Sequence, residues 1–156
     1  MEGNLVTLRF IADSMLGKLA KWLRVMGCDT HYQAFYHGET LGRLINGGRR
    51  LLTRHRETFG HYPNALLIRS DHVGDQLLEM TGDGHLLIDK SRWFSRCLIC
   101  NTPLEGAEFD TAQEDIPEYV FYNNISDIRS CPSCNRYFWP GSHRQQMVRQ
   151  LEKWGF

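Results

Sequence analysis

Two Cys-x-x-Cys pairs, Cys97-Leu98-Ile99-Cys100 and Cys131-Pro132-Ser133-Cys134, constrain this chain more than any other feature. Each pair sets two thiols at the spacing of a tight knuckle, where backbone amides can donate to sulfur. Two knuckles complete a tetrahedral S4 shell, which suits Zn2+ and leaves no open position for a substrate, so the site they predict is structural. The 30 residues between the pairs, 101–130, exceed the usual ribbon spacing, and a hairpin insert with an acidic loop would absorb them. A rubredoxin-like iron centre is the chemical competitor; a redox dithiol fits less well because there are two pairs. Such a module has too small a core to fold alone, and metal binding would supply much of its folding free energy, on the order of 10 kcal/mol in isolated zinc peptides. Tyr137, Phe138 and Trp139 are expected to pack beneath the second knuckle, with a base-stacking surface as the alternative.

A chain of 156 residues has room for one good core besides such a module. No stretch reaches the ~18 consecutive apolar residues of a membrane helix, and Met1-Glu2-Gly3-Asn4 lacks the basic start of a signal peptide, so a cytoplasmic location is expected and no membrane partner. In a reducing compartment cysteines serve as metal ligands more than as disulfide partners, and the fifth, Cys28, reads as a packing residue.

Net charge is zero, which argues against gripping nucleic acid by bulk electrostatics alone. Its distribution is uneven. Residues 1–96 hold 13 Lys and Arg against 10 Asp and Glu, and residues 97–156 hold 5 against 8. Within 43–69, Arg43, Arg49, Arg50, Arg54, Arg56 and Arg69 meet a single acid, Glu57, so this segment offers either a phosphate-binding face or a solvated charged one.

The first two thirds alternate strand and helix. Leu8 to Ala12 is a short apolar strand, followed by Asp13-Ser14 as an N-cap. Met15, Leu16, Leu19, Ala20, Leu23 and Met26 then recur at helical spacing, Lys18, Lys21 and Arg24 mark another face, and Gly27 is a plausible stop. Cys28 to Tyr32 is predicted as strand two, Glu39 to Ile45 as helix two, and Leu51 to Thr53 as strand three. A turn spans Gly60 to Asn64, Ala65 to Arg69 is strand four, and Ser70-Asp71 caps a helix over His72 to Met80. Repeated units of this length imply a parallel sheet with helices on both faces. Beyond a boundary near Phe94, the acids between the cysteine pairs suggest an exposed loop, Tyr119 to Tyr122 a hairpin strand, and Ser142 to about Trp154 a final helix.

In an open parallel sheet, ligands bind at the carboxyl ends of the strands. Asp13 follows strand one, Arg54 and His55 strand three, and Ser70 and Asp71 strand four. Asp13 and Asp71, with Glu39, would make an oxygen-rich site for Mg2+ or Mn2+, although the same three acids also suit helix starts. No phosphate-binding Gly-x-x-x-x-Gly-Lys loop, Gly-x-Gly-x-x-Gly fingerprint or Gly-x-Ser-x-Gly elbow is present, so no nucleotide cofactor is expected.

The run from Phe10 to Arg24, the segments Leu51-Leu52-Thr53-Arg54 and Arg69-Ser70-Asp71, and the ribbon segments Phe94 to Asn101 and Tyr137 to His143 together resemble the Mut-seven C-terminal RNase family of PIN-like domains. The resemblance covers about Thr7 to Met147. It implies a PIN-like α/β domain over residues 5–93 and a zinc ribbon with a C-terminal helix over residues 94–156. It also implies a metal-dependent ribonuclease that hydrolyses phosphodiesters with strand-end acids. Asp13 carries over directly, as principal metal ligand; beside it Glu39 and Asp71 are read as supporting ligands and His55 as a ligand or proton carrier. Lys18, Lys21, Arg54 and Arg69 are the implied RNA contacts. His55 stands where the family usually has an aspartate, and Phe35-Tyr36-His37-Gly38 where its acids cluster. Imidazole at His55 suits Mn2+ or a transition metal better than Mg2+. The rival readings are an inactive RNA-binding module and a protein-interaction adaptor.

Overall fold

A computed structural model describes residues 8–156; Met1 to Asn4 and the first residues of the expected 5–93 domain lie outside the described residues. The chain divides into two compact units, one ending at Phe94 and the other spanning Ser95–Phe156.

The first unit is an α/β layer structure. Its elements are β1 (Arg9–Ala12), a 3-10 turn (Ser14–Leu16), α1 (Gly17–Val25), β2 (Asp29–Tyr32), α2 (Gly38–Asn46), β3 (Arg50–Thr53), α3 (Arg56–His61), β4 (Leu66–Leu67), α4 (Val73–Gly82) and a second 3-10 turn (Lys90–Arg92). All four strands are parallel in the order β2-β1-β3-β4. Strand β1 is buried between two neighbours, and Phe10, Ile11 and Ala12 lose all solvent contact. Parallel strands need crossovers, and crossovers are right-handed, so the leftward step from β1 to β2 and the rightward steps to β3 and β4 place α1 opposite α2 and α3. Ile11, Leu51 and Ala65 form the core on the second of these faces, covered by Leu41, Leu44 and Ile45 of α2. On the other, α1 packs against α4.

Gly27 ends α1 as expected from the sequence. Its φ is +83°, the Gly27 amide donates to the Arg24 carbonyl and the Cys28 amide to the Leu23 carbonyl, which is the bond pattern of a Schellman stop. A Cβ there would also run into the backbone of Arg92.

Several local expectations are corrected. Arg24 is not on a solvent face with Lys18 and Lys21: it is 6% exposed, and its Nε donates to the Thr30 carbonyl at 2.9 Å. The fourth strand shrinks to Leu66–Leu67 because the Arg69 and Ser70 amides are taken by the Glu79 carboxylate. Between β3 and β4 the chain forms α3, which the sequence reading passed over. His72, not Ser70 or Asp71, is the N-cap of α4.

The second unit holds a three-stranded antiparallel sheet, β5 (Glu105–Gly106), β6 (Arg129–Ser130) and β7 (Tyr137–Phe138), in the order β5-β6-β7. Its insert is helical, with α5 (Phe109–Asp115) and α6 (Glu118–Asn123), and α7 (Ser142–Lys153) closes the chain. The insert is therefore neither an acidic loop nor a hairpin strand at Tyr119 to Tyr122. Ala112, Ile116, Val120, Phe121 and Ile128 bury together, which two helical turns meeting at Pro117 can achieve and an alternating strand cannot. Tyr137 and Trp139 pack against this helical core.

Candidate functional site

Two regions carry chemistry, one in each unit. In the second unit, Cys97, Cys100, Cys131 and Cys134 bring their sulfurs within 4.8 Å of one another. Cys97 and Cys134 are 3.6 Å apart and Cys100 and Cys131 are 3.3 Å apart, far beyond disulfide length. A tetrahedral zinc centre with its usual bond lengths sets sulfurs roughly 3.8 Å apart, so the cage has the right size. Burial pushes the Cys97 thiol up to about 12, and a thiolate there needs a cation beside it.

The two knuckles repeat one backbone motif. The Cys97 amide bonds to the Thr102 carbonyl and the Asn101 amide to the Cys97 carbonyl; likewise Cys131 bonds to Arg136 and Asn135 to Cys131, all at 2.8–2.9 Å. Asn101 and Asn135 close the turns at φ of 69° and 60°. Asparagine is among the few non-glycine residues that take this left-handed conformation at small cost. An Asn after each Cys-x-x-Cys was thus a readable signal that the sequence reading did not use.

In the first unit, sheet growth reverses at β1: β2 is added on one side of it and β3 on the other. A crevice opens at the carboxyl ends beside such a reversal. Asp13 leaves β1 there, with its amide bonded to the Leu52 carbonyl at 3.1 Å. One carboxylate oxygen, Oδ1, accepts from the Met15 amide at 2.8 Å and so caps the first turn; the other, Oδ2, accepts from the Thr53 hydroxyl at 2.6 Å. Thr53 is wholly buried, and its Oγ1 also accepts from the His55 amide at 3.1 Å. Tyr32 closes the other flank by donating to the Ser14 carbonyl at 3.0 Å, in a gap that Gly17 keeps open. Neither Thr53 nor Tyr32 was singled out from sequence, because each matters through a residue distant in the chain.

The remaining predicted residues are spread around this edge. Asp71 is exposed and pairs with Arg54, whose Nη2 donates to it at 2.5 Å and tethers the ends of β3 and β4. The Arg54 guanidinium beside Asp71 holds its carboxyl below the usual carboxylate range. Glu39 sits exposed in the first turn of α2, and His55 is exposed at the start of α3. Lys18 and Lys21 project from α1 into solvent, and Arg69 is exposed after β4. Among the described residues, the four cysteines are the one group of three or more His, Cys, Asp or Glu with ligand atoms close enough to share an ion. Asp13, Glu39, His55 and Asp71 are not brought together in that way.

The arginine-rich segment divides between the two ends of the sheet. Arg54, Arg56 and Arg69 lie at the carboxyl end. Arg49 pairs with Asp29 at 2.7 Å and reaches the Phe10 carbonyl, and Arg50 donates to the Asn64 carbonyl, so both staple the opposite end. A cleft of about 240 Å3 follows the edge strand β4 between Phe59, Met80 and His85; of the predicted residues, Arg69 alone lines it.

A four-stranded parallel sheet flanked by helices, followed by a four-cysteine module of the zinc-ribbon kind, defines the class of protein. The family model described as Mut7-C RNAse domain matches residues 8–151, nearly the whole described chain, and the chain belongs to that family. Neither the curated proteins nor the solved structures contain a match to it. No helix among the described residues is long and apolar enough to cross a membrane.

Proposed function

We propose that the chain is a metal-dependent ribonuclease whose reacting centre lies at Asp13, on the β1–β3 edge. The observation that carries this reading is the fixed orientation of the Asp13 carboxylate at the sheet reversal, held by Thr53 and by the Met15 amide. Each of its oxygens keeps a further lone pair for a cation. Mg2+ and Mn2+ sites in phosphoryl chemistry commonly use one or two protein carboxylates and complete the shell with water and substrate phosphate, which fits a site with one well-held acid. The ion would activate water and stabilise charge on the scissile phosphate. Glu39 and Asp71 are the supporting acids in this reading and His55 the ligand or proton carrier. Arg54, Arg69, Lys18 and Lys21 would position the RNA backbone. The cysteine cage would hold Zn2+ as a structural ion.

Incubation of the pure protein with mixed RNA and Mn2+ tests the assignment. Cleavage should require the ion and vanish in Asp13→Asn and Asp13→Ala. Cleavage that persists unchanged in both variants belongs to a contaminant and removes the assignment.

A second reading, an RNA-binding module without catalysis, is favoured by the dispersal of the acids and by the engagement of Asp71 with Arg54. It expects retention of RNA that weakens steeply with salt and no cleavage with any divalent ion. Failure to retain RNA at low ionic strength would remove it.

A further inference from the structure

The helical insert of the second unit presents a surface that its metal cage does not require. From Glu105 to Ile128 the chain carries seven carboxylates and no lysine, arginine or histidine. All seven acids are exposed. Among them stand four large apolar side chains left in solvent: Phe109 at 51% exposure, Tyr119 at 72%, Tyr122 at 54% and Ile125 at 49%.

These side chains are arranged on a supporting layer. Phe109 and Tyr122 each meet the buried Phe121 ring edge-on, at 4.9 and 5.3 Å. Gln113, one turn along α5 from Phe109, donates to the Tyr122 hydroxyl at 3.1 Å. The surface is therefore continuous from α5 to α6, and Tyr119 extends it by one turn of α6. Exposed rings backed by a buried ring lose little freedom on binding, and aromatic residues dominate the energetics of protein contacts. The charge around them decides the occupant. Phosphate backbones are repelled by an insert with seven exposed carboxylates and no base, whereas a cationic chain is attracted. Guanidinium groups gain further by lying over tyrosine faces.

We propose that the α5–α6 face is a docking site for a cationic protein segment, rich in arginine or lysine, whose apolar residues contact Phe109, Tyr119 and Tyr122. This interaction is independent of the ribonuclease reading and survives its failure.

Fluorescence anisotropy on the full zinc-loaded chain tests it with three labelled peptides of about a dozen residues. One carries arginines interspersed with tryptophans, one has serines in place of the tryptophans, and one has glutamates in place of the arginines. The first should bind at least about tenfold more tightly than the second, and the third not at all. Tyr119→Ser combined with Tyr122→Ser should weaken the first peptide about tenfold while metal content stays unchanged, and Tyr119→Ser alone should weaken it with the melting temperature unchanged as well. Glu114→Gln with Glu118→Gln should flatten the salt dependence of binding. Equal affinity for the first two peptides, or no effect of the tyrosine substitutions, overturns the proposal. So does concentration-dependent self-association that Tyr119→Ser abolishes, which would assign the face to a second copy, and so does RNA binding that the same substitution weakens.

Discussion

The Thr53 hydroxyl donates to the Asp13 carboxylate at 2.6 Å across a sequence separation of 40 residues, joining the last residue of β3 to the residue that directly follows its parallel neighbour β1. Thr53→Val keeps the shape but leaves Asp13 Oδ2 short of a donor and the His55 amide short of an acceptor. Thr53→Val should cost about 1–3 kcal/mol in urea denaturation. On the ribonuclease reading proposed above, it should also lower RNA cleavage about tenfold or more through loss of orientation at Asp13. Thr53→Ser, which retains the hydroxyl, should recover most of both. Equal losses in the serine and valine variants would show that packing, not the hydrogen bond, is what matters at this position.

Glu79 accepts from the Arg69 amide at 2.9 Å and the Ser70 amide at 3.0 Å, and so fixes the loop that carries Asp71. Burial opposes its ionisation, but these amide bonds outweigh that and lower its pKa from the ordinary 4.5. A carboxylate with a depressed folded value stabilises above its unfolded value, and the contribution is lost as pH falls through the folded one. Glu79→Gln should therefore lower stability by about 1–2 kcal/mol at neutral pH. The gap to the parent protein should narrow below about pH 4.5. A gap that is constant down to pH 3, measured by denaturation at each pH, would contradict the charge assignment.

Elemental analysis of reduced, carefully prepared protein should find one zinc per chain. Strong chelation, or Cys131→Ser, should expose the amides of Cys97 and Cys131 to hydrogen exchange and release the packing of Trp139, because thiolate ligation supplies much of the folding free energy of such modules. Protein that is metal-free and still protects these amides would show that the cage closes without an ion.

The paired left-handed residues offer a finer probe of the same module. Asn101→Gly should be nearly neutral, whereas Asn101→Val should destabilise by roughly 1–2 kcal/mol and weaken zinc retention, since a branched side chain disfavours φ near 69°. Equal zinc affinity in the glycine and valine variants, measured by chelator competition, would refute this role.

What could be read in advance followed local rules. Asp13 was legible because an acid directly after an apolar strand caps the turn that follows, and the cysteines were legible because ligand spacing is local. Asp71 misled for the same reason: it has the look of an N-cap, yet its partner is Arg54, brought near by the pairing of β3 with β4. Arg24 follows the charged face of a helical wheel, but the wheel does not show that the Thr30 carbonyl waits beside it. Helices α5 and α6 are only seven and six residues long and are separated by Ile116 and Pro117, too short for propensity to signal them; burial of Ile116, Val120 and Phe121 holds them.

The placement of β1 between β2 and β3 also sets an order of events. During synthesis, Asp13 leaves the ribosome well before the strand that orients it, and β2 and α2 must pass first. A nascent or truncated chain that stops within α2 has the acid but lacks β3 and the Thr53 hydroxyl that aims it. The oriented Asp13 carboxylate is thus a late product of the fold, complete only once β3 has been threaded into the sheet and Thr53 has reached it.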